Sequence, residues 1–149
     1  MKRNYWVEII SSLFILLFLY TAISKVIDFK HFSNTLTTAP LLRQYGKLLS
    51  WLIPCSEILM AALLFLPKTR KIGLWGSLGL MLGFTGYLAY MLFFSKVRPC
   101  SCGGVIEKMT WNQHFIFNIF FTLLAVLGLW LTRRKDTKLD SRLQYSASV

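Results

Sequence analysis

The sequence predicts an all-α integral membrane protein, a bundle of four transmembrane helices. Of its 149 residues, 55% are hydrophobic and only 15% are charged, unlike the composition of a soluble single domain. Four stretches are long and apolar enough to cross a bilayer as helices, which takes roughly 20 residues each. They leave no room for a separate soluble domain. We therefore expect one transmembrane domain over residues 1–132 and a mobile basic tail over residues 133–149.

The four predicted spans are residues 6–23, 47–66, 72–94 and 113–131. The first lacks a clean cleavage site, so we interpret it as an uncleaved helix rather than a signal peptide. The second contains Pro54, which should kink the helix near one end. The third carries five glycines at spacings of three and four, which let another helix approach closely, either within the bundle or in a homodimer.

The longest connection, residues 24–46, interleaves Phe29, Phe32 and Leu36 with polar side chains. This pattern is typical of a segment lying along the bilayer surface. The same pattern also occurs in an ordinary loop, and the sequence does not decide between a surface segment and a loop.

The net charge of +11 reflects membrane topology rather than nucleic-acid binding, because the basic residues lie beside the apolar spans. On one side of the membrane there are ten: Lys2, Arg3, Lys68, Arg70, Lys71, Arg133, Arg134, Lys135, Lys138 and Arg142. The other side has seven, spread over longer connections. Since cytoplasmic connections are enriched in Lys and Arg, we expect both termini to be cytoplasmic.

Two cysteines one residue apart, Cys100 and Cys102, lie between the third and fourth spans and are followed by Gly103 and Gly104. The predicted topology makes this connection extracytoplasmic, where disulfides form and exchange. A bridge across so short a segment would be strained, and strained or exposed disulfides are the labile, catalytic ones. A permanent bridge or two inert thiols is the alternative. A zinc site is disfavoured, because the pair with His114 still lacks a fourth ligand.

The third cysteine, Cys55, lies in the outer half of the second span. A lone buried cysteine is usually a small apolar residue without chemistry. Alternatively, Cys55 attacks or resolves a Cys100–Cys102 disulfide and acts as a relay. It precedes Glu57 by two positions, about 200° around a helix, so the two side chains should face away from each other.

Glu57 is the only acidic residue well inside a predicted span, where an unpaired carboxylate is costly. We predict that it pairs with Lys25 at the end of the first span. The pair is either a structural link between two helices or part of a proton-handling, quinone or substrate pocket. On the fourth span, His114, Asn118 and Thr122 repeat every four residues and share one stripe. His114 could activate a cysteine or transfer protons, and the stripe could equally fix helix packing by hydrogen bonds.

These elements together resemble the methylamine-utilisation MauE family of redox-associated membrane proteins, which is similar to the wider DoxX-like group. The likeness extends from Trp6 to Trp130 and rests on Ala22-Ile23-Ser24-Lys25, on Pro54-x-x-Glu57 and above all on Cys100-Ser101-Cys102-Gly103-Gly104. It implies a four-helix protein of the bacterial inner membrane, linked to thiol chemistry during maturation of disulfide-bearing exported proteins. It also implies a thioredoxin-like extracytoplasmic partner. It does not imply methylamine as a substrate.

The leading hypothesis is therefore a membrane thiol–disulfide exchanger that cycles Cys100 and Cys102. Two other classes stay open. One is a non-enzymatic scaffold or accessory subunit, in which the cysteine pair only shapes its loop. The other is a DoxX-like subunit of a quinone-linked oxidoreductase, with Glu57, Trp51 and Trp111 lining a quinone site, although interfacial tryptophans are usually membrane anchors.

Overall fold

The computed structural model describes residues 5–39, 42–94 and 110–147. They form five helices: α1 (Tyr5–Ile27), α2 (Phe29–Thr38), α3 (Gly46–Phe65), α4 (Arg70–Phe93) and α5 (Trp111–Ala147). Four of them, α1, α3, α4 and the part of α5 from Asn112 to Arg133, are long and apolar enough to cross a membrane. The predicted all-α architecture with four spans is confirmed.

The four long helices pack in the cyclic order α1, α3, α4, α5, with the closest packing between α1 and α3 and between α4 and α5. The core lies where their apolar faces meet. At its centre Phe14 is fully buried, in edge-to-face contact with Phe121 of α5 at a centroid distance of 5.5 Å and beside Phe18 at 5.6 Å. Leu64 and Leu74 extend this core between α3 and α4.

The connection between α1 and α3 contains the amphipathic helix α2, so it is not an ordinary loop. Its position along the bilayer surface stays a prediction. Phe32 and Leu36 are buried, while Lys30, His31 and Asn34 are exposed. α2 packs mainly on α3. Gly46 makes this contact possible, because a Cβ there would lie 2.8 Å from the backbone nitrogen of Thr37.

α5 continues as helix to Ala147, well past the predicted end of the fourth span at residue 131. The predicted tail is thus helical over residues 133–147. Its sequence is polar without apolar periodicity, and helix there follows the end of the apolar segment without a proline or glycine to stop it. The mobility of this tail and the side of the membrane on which it lies stay predictions.

Candidate functional site

The predicted pair between Lys25 and Glu57 is present and deeply buried. Lys25 Nζ donates a hydrogen bond to Glu57 Oε1 at 2.7 Å, and only 7% and 2% of the two side chains are exposed. Nζ also lies 3.5 Å from the carbonyl oxygen of Thr21, one turn earlier in α1. The contact joins α1 to α3 inside the bundle, where neither charge could remain alone without a large desolvation cost.

Two aromatic rings flank the ammonium group. The ring centroids of Phe32 on α2 and Phe84 on α4 each lie 5.8 Å from Lys25 Nζ. A cation at this distance is attracted by the negative face of a ring. Four helices therefore converge on a single charged pair, and α2 contributes Phe32 to this site as well as covering α3.

The second carboxylate oxygen of Glu57 is the exception in an otherwise satisfied site. Oε2 is buried and has no hydrogen-bond partner among the described residues. Buried polar atoms in proteins almost always have such a partner, so each orphan needs an explanation. The Thr21 hydroxyl lies close enough to the Glu57 carboxyl to interact with it, but it donates its single hydrogen to the carbonyl oxygen of Phe18 at 3.2 Å.

Glu57 lines a cleft of about 500 Å³ between the helices. Most of the lining is apolar and aromatic, including Phe18, Phe32, Phe84 and Phe117. Polar groups converge on it from every helix: Thr21, Lys25, Thr35, Glu57, Tyr87, Tyr90, His114 and Asn118. A mostly apolar cleft with a few convergent polar groups is the usual form of a small-molecule site.

The glycines of α4 divide into two groups with different surroundings. A Cβ on Gly73 would lie 3.0 Å from the backbone nitrogen of Leu64, and one on Gly76 would collide with the sulfur of Met60. These two positions let α3 approach α4 closely, as the sequence predicts. In the described part of the chain, nothing lies within 4 Å of a Cβ placed on Gly79, Gly83 or Gly86, and all three line the cleft. No described helix packs closely on them, so the expectation of close helix approach within the chain is not met there, and contact in a homodimer stays a prediction. We call these three residues the glycine face.

The polar stripe on α5 serves two purposes. His114 and Asn118 line the cleft, with Asn118 buried and His114 partly buried. Asn118 Nδ2 donates to the carbonyl oxygen of His114 at 3.0 Å. Thr122 lies deeper, its hydroxyl 3.4 Å from that of Thr85 on α4. The packing interpretation is thus confirmed for Thr122.

Cys55 lies on the exposed face of α3, whereas Glu57 is buried, so the two face away from each other as predicted. Cys55 is not among the residues lining the cleft. Cys100 and Cys102 lie outside the described residues, in the connection between α4 and α5. That connection joins two helices whose facing ends carry Tyr90 and His114, both at the cleft.

The structure contradicts the suggested placement of Trp51 in a quinone site with Glu57. Trp51 is 65% exposed, and its ring packs on Phe29 of α2 with centroids 4.6 Å apart. Trp51 and Glu57 are six residues apart, about 240° around the helix, so they occupy different faces of α3. The side chain of Trp111 lies outside the described part of the structure.

Sequence reasoning left a pocket at Glu57 open as one of two alternatives, but it missed the extent of the cleft and the part that α2 plays in it. A further signal was the glycine series on α4, which can indicate either close helix packing or space for a ligand. Which of these applies depends on the residues of the neighbouring helix that lie opposite each glycine. Leu64 and Met60 occupy the space beside the first two glycines, and no described side chain does so beside the glycine face.

Comparison with known proteins identifies the family. The model of the family described as "Methylamine utilisation protein MauE" matches residues 3–131. The match includes the first three candidate spans in full and all but the last two residues of the fourth. No curated protein and no solved structure gives a match to the chain. With an apolar four-helix bundle, a buried Lys25–Glu57 pair and a family match over most of its length, this chain belongs to the MauE family of membrane proteins.

Proposed function

We propose that this protein is a membrane thiol–disulfide exchanger whose reactive groups are Cys100 and Cys102. The observation that carries the proposal is the Cys-x-Cys-Gly-Gly sequence in the connection between α4 and α5. Membership of the MauE family supports it. So do the two helix ends that it joins, since Tyr90 near the end of α4 and His114 near the start of α5 both line the cleft.

Each exchange takes place between this chain and one partner, and a full cycle needs a second dithiol or disulfide partner that restores the starting state of the pair. In the dithiol form, one thiolate of the pair attacks a sulfur of a partner's disulfide and displaces the other partner sulfur as a thiolate. The second cysteine of the pair, as thiolate, attacks the resulting mixed disulfide. The partner leaves as a dithiol, and the Cys100–Cys102 disulfide forms. Two electrons and two protons pass from the chain to the partner, and the reverse sequence passes them back.

His114 is the group we assign to proton handling in this cycle. It lies at the fourth position of α5, close in sequence to the cysteine connection, and its ring is partly buried in the cleft. A neutral imidazole accepts a proton from a thiol and returns it to a leaving thiolate near neutral pH. The Lys25–Glu57 pair has a positioning role, because it holds α1 to α3 at the cleft that His114 lines.

The expected partner is an extracytoplasmic thioredoxin-like protein, and the expected location is the bacterial inner membrane with both termini cytoplasmic. The excess of basic residues on the side of the termini supports this orientation. Cys55 as an internal relay also stays a prediction, one that its exposed position on α3 makes less direct.

Thiol trapping in intact cells tests the proposal. A membrane-impermeant, mass-shifting maleimide is applied with and without prior reduction to the wild type and to Cys100→Ser, Cys102→Ser and Cys55→Ser variants. We expect labelling of the pair from outside only after reduction. One of the two single variants of the pair should accumulate a mixed disulfide with another protein, because it lacks the resolving thiol. Cys55→Ser is the matched control and should retain the wild-type pattern.

Two results would overturn the exchanger. Cysteines of the pair that stay reduced under all conditions would leave a non-enzymatic scaffold or accessory subunit as the better description. Labelling only from the cytoplasm would refute the topology on which the redox compartment depends. A changed pattern in Cys55→Ser would instead bring that residue into the cycle as the relay.

A further inference from the structure

The cleft contains a combination of features that thiol exchange does not use. Glu57 Oε2 is buried and without a hydrogen-bond donor in the described structure, and Glu57 lines the cleft. Lys25 already serves the other carboxylate oxygen. Because the Thr21 hydroxyl donates to the Phe18 carbonyl, an occupant of the cleft that donates a hydrogen bond would satisfy this oxygen without breaking that contact.

The wall of the cleft formed by α4 includes the glycine face, where the helix backbone is not covered by its own side chains. Along the contact of α3 with α4, Leu64 faces Gly73 and Met60 faces Gly76. The next residues in this register are Glu57 and Gly79, and both line the cleft. Because the glycine face leaves helix backbone open over two turns, a flat group can lie directly against α4 there.

The remaining lining favours an aromatic group. Phe32 and Phe84 flank Lys25, and Phe18, Phe117 and Tyr87 line the same cleft. Aromatic rings pack favourably on one another in tilted or offset arrangements. The exposed backbone of Gly79, Gly83 and Gly86 lies within a candidate membrane span, so the cleft is open to molecules dissolved in the bilayer.

We propose that the cleft binds a hydrophobic molecule with a flat hydroxyaryl head, whose hydroxyl donates a hydrogen bond to Glu57 Oε2 while its ring lies on the glycine face. A lipid acyl chain could fill the same volume but would leave Oε2 without a donor. This site is independent of the cysteine chemistry, and it holds or fails whether or not Cys100 and Cys102 exchange disulfides.

A pair of redox-inert probes tests the proposal on the purified full-length protein in detergent. 4-Hexylphenol carries the hydroxyl, 4-hexylanisole replaces it with a methyl ether of the same apolar body, and 1-decanol carries a hydroxyl without a ring. Binding is measured by equilibrium dialysis against empty micelles of the same detergent and by the shift in thermal unfolding midpoint. We expect saturable binding of the phenol and at least about tenfold weaker binding of the other two, the effect of losing one hydrogen bond to a charged acceptor or the ring contacts.

Two variants place the site. Gly83→Leu fills the cleft from a position where a Cβ meets nothing within 4 Å, so the chain should fold and bind neither the phenol nor the ether. Glu57→Gln replaces one carboxylate oxygen, a hydrogen-bond acceptor, by an amide NH₂ group, which is a donor. This change should weaken binding of the phenol to the level of the ether. Leu82→Ala, on the same helix but outside the cleft and 55% exposed, is the matched control and should bind as the wild type does.

The proposal is refuted if the phenol and the ether bind equally, because no hydrogen-bond donor is then needed. It is also refuted if Gly83→Leu, shown by circular dichroism to be folded, binds the phenol normally, or if no probe binds saturably. Equal binding of 1-decanol and the phenol would refute the aromatic head and indicate a lipid alcohol. Thiol trapping gives the same result in all of these cases, so failure here is distinguishable from failure of the exchanger.

Discussion

Removing one partner of the Lys25–Glu57 pair should destabilise the protein more than any other single loss of charge in the described structure. At 2.7 Å and an effective dielectric constant of about 20, the direct attraction is about 6 kcal/mol. Part of this is offset by the desolvation of two groups that are 7% and 2% exposed. Replacing Lys25 by Met leaves the Glu57 carboxylate buried without a counter-charge. We expect a loss of about 3–5 kcal/mol in the free energy of unfolding.

A double replacement tests whether the loss comes from leaving one charge buried without its partner or from the absence of the charged pair itself. Lys25→Met combined with Glu57→Leu removes both charges and leaves apolar side chains of similar size, so it should cost less than either single change. The free energy of unfolding is measured by titrating the protein in mixed micelles with sodium dodecyl sulfate and following tryptophan fluorescence. The control is Glu8→Gln, because Glu8 lies 3.8 Å from Arg70 with both side chains more than a fifth exposed. That change should cost less than about 1 kcal/mol.

The reasoning fails if Lys25→Met costs no more than Glu8→Gln, since burial would then have no effect on the strength of the pair. It also fails if the double variant loses the sum of the two single losses. Additive losses would mean that Lys25 and Glu57 contribute independently, although Nζ and Oε1 are in hydrogen-bond contact.

Three further changes test the packing, each by the same unfolding titration. Gly46→Ala should destabilise the protein because the new Cβ meets backbone atoms at 2.8 Å, whereas Gly79→Ala meets nothing within 4 Å and should stabilise α4 by up to about 1 kcal/mol; the opposite order would refute the division of the glycines. Phe14→Ala should cost at least about 2.4 kcal/mol, the cavity contribution alone for about 100 Å³ at about 24 cal/mol per Å³, and a negligible loss would show that lipid or neighbouring helices refill the space. A double-mutant cycle with Thr85→Val and Thr122→Val should give a coupling of about 0.6 kcal/mol across their 3.4 Å contact, and no coupling would remove this hydrogen bond from the α4–α5 interface.

The sequence was sufficient to predict the number of spans and the partner of Glu57, because both follow from the bilayer as a solvent. A helix needs a minimum apolar length to cross it, and a carboxylate inside it needs a cation within reach. Lys25 satisfied that requirement on the same side of the bundle, and the structure places it there. The opposite orientation of Cys55 follows from helix geometry alone.

The size and lining of the cleft could not be predicted in this way, because they depend on how several helices pack against one another. Gly76 and Gly79 have the same side chain and lie three residues apart, yet one packs against Met60 and the other faces the cleft. Trp51 is a similar case. Its position in α3 made it a candidate neighbour of Glu57, but the tertiary contact with Phe29 of α2 holds it on the outside.

The separation of Lys25 and Glu57 along the chain has a consequence for biogenesis. The two residues are 32 positions apart. At a synthesis rate of about 5–20 residues per second, roughly 2 to 6 s pass between the addition of Lys25 and the addition of Glu57. During that interval the Lys25 charge lies in the last turn of α1, where its cost is below the roughly 3 kcal/mol that a charge meets at the centre of a bilayer. Insertion of α1 and α3 together, as a hairpin closed by α2, brings each charge into the membrane with its partner.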